Sequence, residues 1–257
     1  MELSDGFEAW NHRWGAPSGR HFPLEGLLGR RMPWLARYLR GPFAFQANSP
    51  TRKFEYSWVA SQLQADHRLL EIGGALSGLQ FALAKDLGAE VHNVDSFFDY
   101  GNGPGEYAVS PEERHARMNT SYRTKVILHH SVLEDTDLDG PFVAVYSVST
   151  LEHLPKEAIQ KALERVDVLL RPGGRLVLTV DLFLDVQPFC ASERNRWGTN
   201  VSMAWLAEMT GYNLVEGDQR ELFGYPEFST DHVLCNLGEY LNYSSQLDQC
   251  AVFVKGK

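Results

Sequence analysis

The stretch Leu69-Leu-Glu-Ile-Gly-Gly-Ala-Leu-Ser-Gly78 decides the fold. Its first half, with Arg68, is a short apolar run that stops at Gly73-Gly74. Beyond it Leu76, Leu79, Leu83 and Leu87 recur at helical spacing until Gly88 ends them. A buried strand therefore runs through a turn of small residues straight into a helix. Such a turn lets the backbone approach a ligand closely, and the helix N-terminus offers free N–H groups and a favourable dipole to a carboxylate or phosphate. Read as G-x-A-x-x-G, the turn is a degenerate dinucleotide fingerprint; a tight strand-to-helix turn with no ligand has the same local pattern.

Working outward, the next strand, EVHNV, ends at Asp95, 24 residues after Glu71. At that spacing a carboxylate accepts both hydroxyls of an adenosine ribose; the alternative is a solvated strand-end acid. Ser110-Pro111-x-Glu113 is a capping box for a short helix after the aromatic, glycine-rich loop Phe97–Gly105. Lys125–His129 and Phe142–Ser147 read as buried strands. Between Leu154 and Leu170, Ala158, Ile159, Ala162, Leu163, Val166 and Leu170 mark an amphipathic helix, and the turn Arg171-Pro172-Gly173-Gly174 feeds a strand RLVLTV. Strands alternating with helices predict an α/β fold with a largely parallel sheet covered on both faces. The tail departs from this rhythm: a helix over Met203–Met209, a strand near Asn213–Glu216 and a last strand at Gln249–Gly256. Between these last two strands, about thirty residues without periodicity, near 217–246, exceed an ordinary loop and read as a substrate-facing insertion.

Residues 1–58 are a different material. They hold eight Arg/Lys against five Asp/Glu and eleven aromatic residues, whereas the whole 257-residue chain carries a net charge of −9. A helix is expected at the end of this segment, with Ser49 as N-cap and Pro50 first. Residues 1–50 read either as aromatic packing on the core or as a lid over an apolar or aromatic substrate, with Arg13, Arg52 and Lys53 solvated or meeting an anionic group. The acidic balance argues against nucleic acid as a partner. Three widely spaced cysteines, Cys190, Cys235 and Cys250, fit a reducing compartment. Glu2 and Asp5 stand where a signal peptide is basic, and no apolar run reaches the ~20 residues of a membrane helix, so a cytoplasmic, membrane-free protein is expected.

LLEIGGALSG, the strand ending at Asp95, SVSTLEHLP (Ser147–Pro155) and LLRPGGRLVLTV (Leu169–Val180) occur in this order, and together the set resembles the class I S-adenosylmethionine-dependent methyltransferases. The likeness covers about residues 50–257. It is strongest to the branch that includes the quinone-biosynthesis enzymes, on the Leu-Glu-His and Arg-Pro-Gly-Gly segments. The resemblance implies a Rossmann-like, seven-stranded, mostly parallel sheet with an antiparallel last strand, a methyltransferase domain over 51–257, and S-adenosyl-L-methionine as cofactor. By position, it implies that Glu71, Gly73 and Gly74 hold the methionine end. Asp95 and Ser96 take the ribose, Ser131 and Val132 flank adenine, and Ser147 and Val148 border the sulfonium. Four positions depart from the family pattern: Ala75 and Ser77 replace glycines, Ser131 replaces an acid whose role Glu134 or Asp135 could take, and Val143 replaces an acid in a buried strand.

Methyl transfer needs a base only when the nucleophile carries a proton. His153, just past a strand's carboxyl end, is the first candidate; the alternative is a helix-start histidine bonded to backbone, with Glu152 capping the helix. Asp181 is the second. No metal is expected: there is no H-E-x-x-H, and His129 and His130 on a strand point to opposite faces. The leading reading is methyl transfer to an oxygen or nitrogen of a small molecule, with the oligomeric state open. A nicotinamide-dependent oxidoreductase and a non-catalytic cofactor-binding protein are the competing readings.

Overall fold

The computed structural model describes residues 3–23, 25–46, 48–64, 68–98, 109–240 and 246–257. Seven strands form one mixed sheet in the order β3-β2-β1-β4-β5-β7-β6: β1 (Arg68–Ile72), β2 (Glu90–Asp95), β3 (Ile127–His130), β4 (Phe142–Val148), β5 (Leu170–Phe183), β6 (Asn213–Glu216) and β7 (Gln246–Val254). The chain divides into two compact units, Leu3–Val132 and Leu133–Lys257.

In the first unit, β1 pairs parallel with β2, and β2 with β3. The helices are α1 (Asp5–Trp14), α2 (Glu25–Arg31), α3 (Pro33–Arg40), α4 (Arg52–Gln62), α5 (Gly78–Leu87) and α6 (Pro111–Tyr122). Leu69, Leu70, Val91 and the α5 residues Leu79, Phe81 and Leu83 are essentially inaccessible to solvent. That is why a five-residue apolar strand and a helix with one apolar row fold together here. The serine half of the capping box forms, with Ser110 Oγ accepting the Glu113 N–H, while the Glu113 carboxylate takes Arg117. The helix expected to begin at Pro50 starts two residues later, because the chain first makes a tighter turn in which Arg52 N–H donates to Ser49 O and Lys53 N–H to Pro50 O. Of the aromatic N-terminal residues, Phe43, Phe45, Tyr56 and Trp58 are buried. Phe43 is fully buried, 6.0 Å from Trp10 and 4.9 Å from Tyr56 between ring centroids, and Trp34 meets Phe45 with the ring planes tilted by 57°.

In the second unit, β4 and β5 are parallel, and β7 runs antiparallel to both β5 and β6. Its helices are α7 (Lys156–Leu169), α8 (Met203–Thr210) and α9 (Thr230–Cys235). The Arg171–Gly174 turn is absorbed into β5: Gly173 N–H donates to Lys255 O and Lys255 N–H to Gly174 O, so the end of β7 captures its backbone. The segment after β6 is not structureless. Phe223, Phe228 and Val233 on α9 join Leu182, Leu247 and Phe189 in a satellite core. Within the insertion read near 217–246, residues 241–245 lie outside the described residues, as does most of the loop following Phe97.

Candidate functional site

In the first unit the carboxyl ends of β1 and β2 hold the glycine turn. Gly73 has φ +73°, and Ala75 adopts φ +44°, a strained value for a residue with a Cβ. Gly74 has no room for a side chain: a Cβ there would lie 2.4 Å from Glu71 Cδ and 2.7 Å from Asn93 Oδ1. Glu71 is buried beneath the turn and accepts a hydrogen bond from Ser77 Oγ at 3.2 Å. Ser77 is thereby diverted from capping α5, whose N-cap makes no side-chain bond, leaving that end of the helix to another acceptor. Asn93, fully buried in mid-β2, clamps the turn from below: its Oδ1 accepts Gly74 N–H at 3.2 Å and its Nδ2 donates to Ala75 O at 2.8 Å. The sequence reading missed Asn93. The available signal was a polar residue inside an otherwise apolar strand, which requires a buried partner.

Asp95 ends β2 half-buried. One carboxylate oxygen accepts Ala75 N–H at 2.8 Å and the other Phe97 N–H at 2.6 Å, so the acid links the turn to the backbone beyond β2. Ser96 is exposed beside it. Ser131 N–H donates to Asp95 O, which sets the end of β3 against the end of β2, and Val132 follows exposed. His129 meets His92 Nδ1 at 3.0 Å, while His130 bonds Glu112 and holds that carboxyl far down, at about 2. The basic residues considered for an anionic group have acidic neighbours: Arg13 pairs with Asp86, Arg52 with Glu55 and Lys53 with Glu8.

In the second unit, Ser147 and Val148 end β4 buried. Ser149 follows at φ +40° with its N–H on Thr179 O, a strained exit from the strand. The next residues form a short 3-10 turn, Leu151–His153. Glu152 does not cap α7, whose N-cap position is Pro155; it turns inward, is buried, and accepts Asp181 N–H on Oε1 at 3.2 Å. Asp181 itself is 4% exposed and lies opposite Asp248 in the β5–β7 ladder, a setting of neighbouring acids within the sheet. His153 is exposed, and its Nδ1 bonds the main-chain carbonyl of Trp197, 44 residues away. That bond satisfies the backbone-bonded alternative and still leaves Nε2 without a partner among the described residues. Glu134 and Asp135 are exposed on a turn of their own.

No protein-family model matches the sequence, and no curated protein is significantly similar to it. Solved structures are. A Burkholderia thailandensis 1,6-didemethyltoxoflavin-N1-methyltransferase, crystallised with 1,6-didemethyltoxoflavin and S-adenosylhomocysteine, superposes with a TM-score of 0.55 at 16% identity over 93% of each chain. The N-methyltransferase NodS from Bradyrhizobium japonicum reaches 0.50 at 14% identity over 82% of this chain and 99% of its own. The [4+2]-cyclase SpnF reaches 0.55 at 16% identity over 93% and 99%. The fold is thus that of the class I methyltransferases. At these identities the likeness carries to the fold, and SpnF shows that the fold also serves a cyclase. Among the described residues no helix is long and apolar enough to cross a membrane.

Proposed function

We propose that the protein is an S-adenosyl-L-methionine-dependent methyltransferase acting on an oxygen or nitrogen of a small molecule. The observation that carries this reading is the turn at Gly73–Ser77. Its backbone is bent into left-handed conformations at Gly73 and Ala75, pressed onto Glu71 so closely that position 74 must be glycine, and tied through Ala75 N–H to an acid at the end of the next strand. Such a cradle suits the methionine and ribose ends of the cofactor. In this reading Gly73 and Gly74 admit the methionine end, and Glu71 supports the turn from beneath. Asp95, with Ser96 beside it, takes the ribose, Ser131 and Val132 flank adenine, and Ser147 and Val148 border the sulfonium.

When bound, the cofactor supplies a methyl carbon already activated by positive sulfur. The chain therefore has to align the acceptor, exclude water and, for a protonated nucleophile, remove a proton. His153 is assigned that last role, because it is exposed and its Nε2 has no partner among the described residues; Asp181, buried opposite Asp248, is the weaker candidate. Residues 1–50 are assigned to covering the substrate and the segment near 217–246 to facing it, in a cytoplasmic protein. The Leu-Glu-His and Arg-Pro-Gly-Gly segments, which resemble those of the quinone-biosynthesis branch, support the fold and cofactor, and the likeness to an N-methyltransferase crystallised with a small-molecule acceptor supports the substrate class.

Calorimetry with S-adenosylmethionine, S-adenosylhomocysteine and NADH tests the cofactor. Binding of the first two and not the third is expected; saturable NADH binding alone would reverse the assignment to an oxidoreductase. The SpnF likeness favours one second reading, a small-molecule enzyme that does not transfer methyl groups. Mass spectrometry of products separates the two, since methyl transfer adds one methylene of mass and cyclisation adds none.

A further inference from the structure

The bond between His153 and Trp197 belongs to a loop that is itself tightly built. Asn195 Oδ1 accepts two backbone N–H groups, from Trp197 at 2.8 Å and from Gly198 at 3.0 Å. Asn195 N–H donates back to Gly198 O at 2.9 Å, and its Nδ2 donates to Asp185 Oδ1 at 2.8 Å. One side chain thus closes the turn and anchors it to the segment leaving β5. The turn meets the Leu151–His153 segment twice: Thr199 N–H donates to Glu152 O at 3.1 Å, and Trp197 O receives His153 Nδ1. Between these contacts sits Gly198, where a Cβ would fall 2.0 Å from Glu152 O, so only glycine lets the two backbones come this close.

A carbonyl oxygen only accepts. The ring nitrogen facing it must therefore carry hydrogen, and a neutral imidazole then keeps its lone pair on Nε2. From this geometry we propose that Asn195 is a positioning residue: by holding the Trp197 carbonyl in place it fixes His153 as the Nδ1–H tautomer, with Nε2 directed outward as proton acceptor. The catalytic consequence rests on the assignment of His153 as base; the tautomer itself does not.

The experiment is long-range proton–nitrogen NMR of the His153 ring in the full-length protein at neutral or slightly alkaline pH, for the parent, Asn195→Ala and Asn195→Asp, alongside steady-state methyl transfer. The parent should show Nδ1 protonated and Nε2 bare. Asn195→Ala should mix the two tautomers and lower kcat by about 10²-fold, the order of loss for a misplaced catalytic group, with cofactor Kd unchanged. Asn195→Asp retains an oxygen for both amides but turns the Asp185 hydrogen bond into a like-charge contact, so made together with Asp185→Asn it should restore most of the tautomer and the rate. An Nε2–H ring in the parent overturns the proposal without any variant, which covers the case in which Asn195→Ala does not fold. So does a folded Asn195→Ala protein whose ring remains Nδ1–H. The base assignment fails separately, if His153→Ala retains full turnover while the parent ring is Nδ1–H.

Discussion

The carboxylate of Asp95 receives the backbone N–H of Ala75 at 2.8 Å, across the gap between the end of β2 and the turn that follows β1. A residue read as a ligand-binding acid is thus also part of the scaffold, because the same group accepts Phe97 N–H. Its removal should act on the cradle and on the ligand together.

Asp95→Ala is therefore expected to weaken S-adenosylmethionine binding by about 1.5–3 kcal/mol, the range for a hydrogen bond to a charged group, and to lower the melting temperature of the ligand-free protein as well. Asp95→Asn retains one acceptor oxygen and should fall between. Calorimetry with paired thermal melts checks this; unchanged affinity in Asp95→Ala would move the ribose site elsewhere.

Gly74→Ala brings a Cβ to 2.4 Å from Glu71 Cδ and 2.7 Å from Asn93 Oδ1, so the turn must lift. Overpacking of this kind costs about 1–3 kcal/mol. Urea unfolding should show that loss together with weaker cofactor binding, and a variant of parental stability and affinity would mean that the turn is looser than its geometry.

His153→Ala should lower turnover by about 10²–10⁴-fold, the contribution of a positioned base, while cofactor Kd stays near the parent value. Turnover that survives the change, measured with the true acceptor, would leave alignment alone as the source of rate.

Stability should decline on mild acidification through His115. Burial depresses its pKa from 6.5 to about 4. Its Nε2–H donates to Gln80 Oε1 at 3.0 Å, and Asn119 Nδ2 approaches Nδ1 at 3.4 Å, so the neutral ring is the one accommodated. Between those two values the unfolded chain binds a proton that the native protein does not. The stabilisation present at neutral pH is therefore lost as pH falls, by about 2 kcal/mol between pH 7 and 5. His92 and His129, also lowered by burial, act in the same direction. Urea unfolding at both pH values should show a shallower pH dependence in His115→Gln, and equal slopes in parent and variant would remove His115 from this role.

Much of this molecule was legible in its linear order. LLEIGGALSG specified strand, turn and helix because an apolar run, two glycines and a leucine row at helical spacing are local properties of adjacent residues. Asp95 followed from counting along the chain, and the amphipathic row from Ala158 to Val166 marked α7. What sequence left open were contacts between residues far apart. Asn93 reads as an odd polar residue until Gly74 and Ala75 are folded over it. Glu152 has the spacing of a helix cap, yet burial and the Asp181 amide turn it inward. Arg171–Gly174 has the composition of a turn, but β7 supplied backbone partners and drew it into β5. The tautomer of His153 is the clearest case: a histidine's own sequence neighbourhood does not say which nitrogen carries the proton. Only folding, by placing the Trp197 carbonyl against Nδ1, decides it.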